Sequence, residues 1–471
     1  MTIIKINISV YLLYNDDCRA IELWKKVSNV SEEKTSYFSF GLRLFKRDAD
    51  FLIEKNSVES SFRNYLSSKG INLDNDTKED KEKELAQLEI EFESEIKKAV
   101  YRFINKNFDN IVFFAGAGAS VVLEKSDNTE KNKDAKSGID SNYGKTVAML
   151  AENINTKLNE ESDSKDIYSL EELAEKAHYK NKVVDKNEPD LSKDFDLEDF
   201  LSGVIHFEPY IDDKEEKEKY IATKNRILEL IKENTSYSYD EAKFKHETIL
   251  NILTEKIESP SKLSVITTNY DTVFEDAAAN QNYTVFDGFK FLANPKFDSD
   301  MFNWNLVKEV SDIKTRELEY NKRVFNLIKL HGSLTWKRNQ KGEITRVLNG
   351  DQVEAKDTVM IFPSSDKYAQ SYQEPYFDLF TKFQELLKRK NTLLITAGFS
   401  FSDNHIFRMI SQAVKNNKEL ALLVTDYDID QQDNKNWQEL LELGKSYHQI
   451  AFLKATLNDN LSTYLGARND N

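Results

Sequence analysis

A junction is the feature that most constrains this chain. Residues Ile111-Val112-Phe113-Phe114-Ala115 form an unbroken apolar run, and Gly116-Ala117-Gly118-Ala119-Ser120 follow directly. Five apolar residues without alternation describe a strand covered on both faces. Such strands belong to parallel sheets packed between helices. Two glycines after that strand let the backbone turn tightly and approach an anion, with the following N–H groups facing it. The third glycine of a dinucleotide fingerprint is lacking, and Val122 sits two residues after Ser120. Alone, the junction is equally well a tight turn.

The same arrangement recurs along the chain. Leu263 to Thr268 leads into Asn269-Tyr270-Asp271, and Val324 to Leu330 into His331-Gly332-Ser333. Thr358 to Phe362 ends at Pro363. Thr392 to Ala397 leads into Gly398-Phe399-Ser400-Phe401-Ser402-Asp403, and Leu420 to Thr425 and Gln449 to Leu453 complete the set. Helical periodicity fills the intervals at Val147 to Leu158, Leu170 to Tyr179, Tyr220 to Ile231, Phe244 to Ile257, Pro375 to Arg389 and Asn404 to Val414. Strands alternating with helices predict an α/β, Rossmann-like parallel sheet. The first two motif strands lie roughly 140 residues apart, far more than a crossover needs, so a large helical insertion is expected at about 121–260.

Upstream, residues 2–14 alternate like a strand, residues 17–70 are mixed and mostly helical in character, and residues 71–84 read as a solvated charged stretch. Leu85, Leu88, Phe92, Ile96, Val100 and Phe103 then form one apolar stripe on a long helix. The expected organisation is an N-terminal extension over 1–100 and an α/β domain over 101–470.

Composition bounds the partners. The 471 residues carry 81 acidic against 65 basic side chains, a net charge of −16, so direct nucleic-acid binding through the bulk field is not expected. Cys18 is the sole cysteine, which excludes an intramolecular disulfide and a cysteine-based zinc site. With no signal-peptide pattern at the N-terminus and no apolar run of membrane-spanning length, a cytoplasmic protein without membrane contact is expected.

Polar residues therefore gather at the carboxyl ends of several strands, where open α/β sheets bind ligands. His331, at a strand end beside Gly332, suits a general base. His178, His206, His246 and His448 have no motif around them and read as surface or packing residues, and His405 reads as structural. Gly144-Lys145-Thr146 mimics the end of a P-loop, but Ile139 stands where its first glycine belongs and no strand precedes it. Asp194, Asp196, Glu198 and Asp199 interleave with Phe195, Leu197, Phe200 and Leu201, so an amphipathic helix explains them better than a metal.

Taken in order, FFAGAGAS (113–120), TTNYD (267–271), KLHGS (329–333) and GFSFSD (398–403) resemble sirtuin-like NAD-binding domains, most closely those of bacterial antiphage defence systems. The resemblance implies that Ala115, Gly116, Ala117, Gly118 and Ser120 hold the NAD+ pyrophosphate. It implies that Asn269 and Asp271, with Thr268 beside them, line the nicotinamide-ribose pocket, and that His331 is the catalytic histidine. Gly398, Ser400 and Asp403 would hold the adenosine ribose. Sirtuin deacylases carry a four-cysteine zinc module that this sequence lacks, so no zinc is expected and water replaces the acyl-lysine as nucleophile. The implied activity is NAD+ glycohydrolase, with NAD+ as substrate and an abortive-infection role. The other readings are a non-catalytic NAD or ADP-ribose sensor and an NAD-dependent protein deacylase. By family analogy the chain works as a homo-oligomer, woken by a HerA-like partner ATPase or a phage-derived trigger.

Overall fold

The computed structural model describes residues 34–40, 43–48, 93–94, 96–123, 139–140, 142–162, 166–184, 191–192, 194–310, 318–348, 353–354, 357–360, 374–429, 431, 434–447 and 449–466. The strand expected at 2–14, the charged stretch at 71–84, the first part of the helical stripe, Cys18 and His448 lie outside these. The chain falls into two compact units, Asn110–Leu387 and the segments Met1–Asp109 with Lys388–Asn471.

In the second of these, strands β1 (Lys34–Phe40) and β2 (Arg43–Asp48) pair antiparallel, where the sequence read as mostly helical. Their Tyr, Phe, Thr and Leu content favours a pleated strand over a helix once a sheet edge is available. That edge is β14 (Ile450–Lys454), with which β1 pairs antiparallel. The stripe residues Ile96, Val100 and Phe103 lie in helical residues 96–104 and are buried, as the spacing predicts.

The larger unit is built on four parallel strands, mostly apolar in sequence. They are β3 (Asn110–Ala115), β4 (Leu263–Thr267), β5 (Thr284–Phe286) and β8 (Val324–Lys329), in the order β3-β4-β8-β5. Short strands β6 (Val307–Glu309) and β7 (Leu318–Tyr320) pair with each other. A three-stranded antiparallel sheet comprises β9 (Gly332–Arg338), β10 (Ile344–Arg346) and β11 (Thr358–Met360).

Among the described residues five helices lie between β3 and β4, and the first four are α1 (Val147–Glu161), α2 (Leu170–Lys176), α3 (Leu197–Phe207) and α4 (Lys214–Thr235). These four share one core, including Ile154, Leu158, Phe200, Leu201, Tyr220 and Ile231. Their starts follow capping rules. Ser169 and Glu172 make a reciprocal capping box, and Asp196 and Asp213 accept backbone N–H groups at the heads of α3 and α4. The acidic run around Asp196 is thus a helix start, as its interleaving with apolar residues predicts. Helices α5 (His246–Glu255) and α6 (Val273–Asn280) flank β4, and α7 (Tyr376–Lys388) packs Phe383 on Phe114 at 5.5 Å.

The other unit carries β12 (Thr392–Ala397) and β13 (Leu420–Asp426), parallel to each other, with β14 parallel on β13. Helices α8 (Asn404–Asn416) and α9 (Lys435–Ser446) supply the crossovers, and α10 (Leu461–Leu465) follows β14. Both units therefore belong to the α/β, Rossmann-like class. Among the described residues, no helix is long and apolar enough to cross a membrane.

Candidate functional site

Strand register assembles the site in the larger unit. Ala115 sits opposite Thr267, and Thr267 opposite Lys329. Two further bonds carry the alignment past the strand ends, Thr268 N–H to the Ala115 carbonyl at 3.3 Å and Leu330 N–H to the Thr267 carbonyl at 2.8 Å. Parallel strands all run the same way, so the next residues of each leave at one edge. Neighbouring strands are ~4.8 Å apart, so the loops 116–120, 269–271 and 331–333 start within about 10 Å of one another.

A relay of hydrogen bonds joins the first two loops. Asn269 Nδ2 donates to Ser120 Oγ at 2.9 Å, and Ser120 Oγ donates to Asp271 Oδ2 at 2.7 Å. The Tyr237 hydroxyl donates to the same carboxylate oxygen at 2.8 Å, while Asp271 Oδ1 accepts the Val273 N–H at 3.2 Å. Ser120 and Asp271 are buried. Because the serine proton goes to the carboxylate, its lone pairs face Asn269, which fixes the amide with nitrogen toward Ser120. The Asn269 N–H is held in turn by Thr267 Oγ1 at 3.0 Å.

A buried lysine ties the second loop to the third. Lys329, 2% exposed at its side chain, pairs with Glu275 at 2.7 Å, donates to the carbonyl of Asp271, and lies 3.2 Å from Ser333 Oγ. Burial pushes the Glu275 carboxyl up from its ordinary range, partly offset by the lysine charge. A lysine within the buried run Leu327-Ile328-Lys329-Leu330 was the sequence signal for such a cross-link, since an unpaired charge there would be costly.

His331 is buried, with its ring 6.5 Å from that of Phe380 on α7. Gly332 beside it does more than give access. It has φ +86°, and a Cβ there would meet the Val359 carbonyl oxygen at 2.1 Å, so β11 can approach only a glycine. By contrast Gly116 has an ordinary φ of −94°, and Gly118 is not among the positive-φ glycines. The first loop thus makes no left-handed bend at either glycine. It closes as a short 3-10 turn over Ala117–Ser120, in which Ala117 is exposed.

The P-loop mimic has a structural explanation. Gly144 (φ +56°) packs on the backbone of Ser120, where a Cβ would lie 2.3 Å from its carbonyl carbon. Lys145 donates to Asn234 of α4, and Thr146 caps α1. Tyr237 and Gly144 both touch the site, and the sequence reading assigned neither to it.

Of the remaining histidines, His246 is 1% exposed between the rings of Phe244 and Phe274, at 5.5 and 4.6 Å, and burial lowers its pKa to about 4. It is a packing residue. His206 Nδ1 lies 2.9 Å from the Ser202 carbonyl, and His178 meets the Phe207 ring edge-on.

The fourth motif belongs to the other unit. Gly398 and Phe401 there take left-handed φ values of 58° and 60°. Asn434 and Asn436 donate to the carbonyls of Ser400 and Phe401. Ser400 is exposed, with its Oγ 3.0 Å from Ser402 Oγ. Asp403 Oδ1 accepts the N–H groups of His405 and Ile406, capping α8. At the carboxyl end of β13, Asp426 is a buried acid the sequence reading passed over, its pKa pushed up to about 7 by burial.

Among the described residues, no group of three or more His, Cys, Asp or Glu is arranged to hold a metal ion. Residues 263–444 match the SIR2-like domain family. The match takes in the loops at 269, 331 and 398, while the glycine turn lies before it, separated by α1–α5. SIR2-like domains bind NAD+ and are typically NAD-dependent enzymes, so the match supports a sirtuin-related NAD-binding or NAD-processing function. No curated protein matches the chain.

Proposed function

We infer, starting from a SIR2-like span whose loops at 269 and 331 leave the same sheet edge as the glycine turn, that the protein is an NAD+ glycohydrolase. The observation that carries the reading is the relay Asn269–Ser120–Asp271, one strand away from His331. The glycine turn, free of side chains at 116 and 118, suits a pyrophosphate, and its short length leaves that role to backbone N–H groups. In the reaction the C1′–N bond of the nicotinamide ribose breaks, and its electron pair neutralises the ring nitrogen, so no strong general acid is needed. A water oxygen bonds to C1′ through an oxocarbenium-like transition state. With Nδ2 committed to Ser120, the oxygen end of the Asn269 amide is the one left to accept a hydrogen bond from that water. His331 takes the proton, directly or through a ribose hydroxyl. Asp271, its carboxylate held by three donors, contributes a fixed negative charge facing the developing cation. The presence of Cys18 alone favours water over an acyl-lysine, because the deacylase zinc module needs four cysteines.

The test is nicotinamide release by the purified chain, alone and with lysate from phage-infected cells. His331→Ala and Asn269→Ala are each expected to lower turnover by about 10²-fold or more. Wild-type turnover in both variants would reject the mechanism, NAD+ binding without release would favour a sensor, and dependence on an acyl-peptide would favour a deacylase. Residues 1–100 and the helices between β3 and β4 are the segments we assign to assembly and gating in an antiphage role, with a homo-oligomer held inactive until a partner ATPase or phage trigger acts. A solution mass paired with the same assay checks that assignment.

A further inference from the structure

We propose that Tyr237 is a positioning residue for this reaction, acting through Asp271. The proposal rests on the glycohydrolase reading and deepens it. Tyr237 follows α4 by two residues, so it comes from the long helical segment rather than from any motif. Its hydroxyl reaches the Asp271 oxygen that also accepts Ser120. Two donors on one oxygen, with Val273 N–H on the other, leave the carboxylate a single orientation. Because Ser120 must then give its proton to that oxygen, the orientation of the Asn269 amide follows from the same arrangement.

The ring of Tyr237 is held separately from its hydroxyl. It stacks on Phe244 at 6.1 Å and meets Tyr143 edge-on at 5.9 Å. These rings pack on a small core of Val122, Phe244 and Val273, and Val122 and Val273 each stand two residues beyond a bonded site residue, Ser120 and Asp271. The backbone of Gly144 lies beside the phenol oxygen. Burial, and then the Asp271 carboxylate, keep the phenol protonated well above its ordinary range, so it remains a donor wherever the site works. Removing the oxygen alone should leave the packing and release one constraint on the carboxylate.

The experiment compares purified wild type, Tyr237→Phe, Tyr239→Phe and Asn269→Ala for NAD+ turnover, KM and thermal melting. Tyr239 packs in the same cluster without bonding Asp271, so it reports on packing alone. In Tyr237→Phe, kcat is expected to fall about tenfold, with KM within about threefold and melting close to wild type. Tyr239→Phe should match wild type. Unchanged kcat in Tyr237→Phe, or an equal loss in both tyrosine variants, would overturn the proposal. If Tyr237→Phe does not fold, Tyr237→His takes its place, keeping a ring and a donor. Activity within about tenfold of wild type supports the proposal, and activity as low as Asn269→Ala overturns it. A wild type that releases no nicotinamide under any condition instead removes the functional reading, and this proposal with it.

Discussion

Single residues in this protein are constrained by what a neighbouring backbone allows. Gly332 is the clearest case, because its left-handed φ, and a carbonyl oxygen 2.1 Å from where a Cβ would stand, exclude every other residue type. Gly332→Ala is expected to cost on the order of 3 kcal/mol, read as a shift in the urea midpoint, from backbone strain and the displaced β11 together. The candidate residues Asn269, Asp271 and His331 stood out in the sequence because each follows a mostly apolar strand run. Tyr237 was not, since nothing in the order of residues 236–245 says which tyrosine will reach a carboxylate 34 positions away. Gly144 was legible as a glycine and misleading as a motif, because its requirement is set by the Ser120 backbone beneath it.

Between elements, the contacts that matter are the few polar ones crossing apolar packing. Lys329 on β8 holds the loop after β4 and the head of α6 through one ammonium group. Lys329→Met should cost about 2 kcal/mol in chemical denaturation, because it leaves the half-buried Glu275 without its cation and the Asp271 carbonyl without its donor. Lys329→Met with Glu275→Leu should recover most of that loss, since an apolar pair of similar volume carries no desolvation penalty. A double variant as unstable as the single one would show that the lysine bonds to backbone carbonyls dominate. Periodicity predicted the flanking helices to within a few residues at most ends, because capping residues such as Ser169, Asp196 and Asp213 are local signals. It misread residues 34–48, whose strand pairing depends on β14, more than 400 positions later.

For the whole molecule, two buried titratable groups tilt stability against pH in opposite directions. His246 has a folded pKa of about 4, below the ordinary value of 6.5, so its contribution is intact above 6.5 and is lost as pH falls toward 4. Asp426 has a folded pKa of about 7 against 3.8, so stability is lost as pH rises from 3.8 to 7 and is level above that. Each slope integrates to something on the order of 3 kcal/mol. Melting temperatures of the full chain across pH 4 to 8 check this: His246→Phe should flatten the acid side, and Asp426→Asn should stabilise the protein most above neutrality. Parallel slopes for both variants would contradict the assignment. The sequence by itself determined the α/β class, the strand runs and the polar residues ending them, because burial period and turn chemistry are written in neighbouring residues. Only the tertiary structure decided which partners those residues meet. The Tyr237–Asp271 bond, the Lys329–Glu275 pair and the seat of Gly144 on Ser120 all join positions brought together by sheet register and helix packing, which depend on the whole chain rather than on any local window.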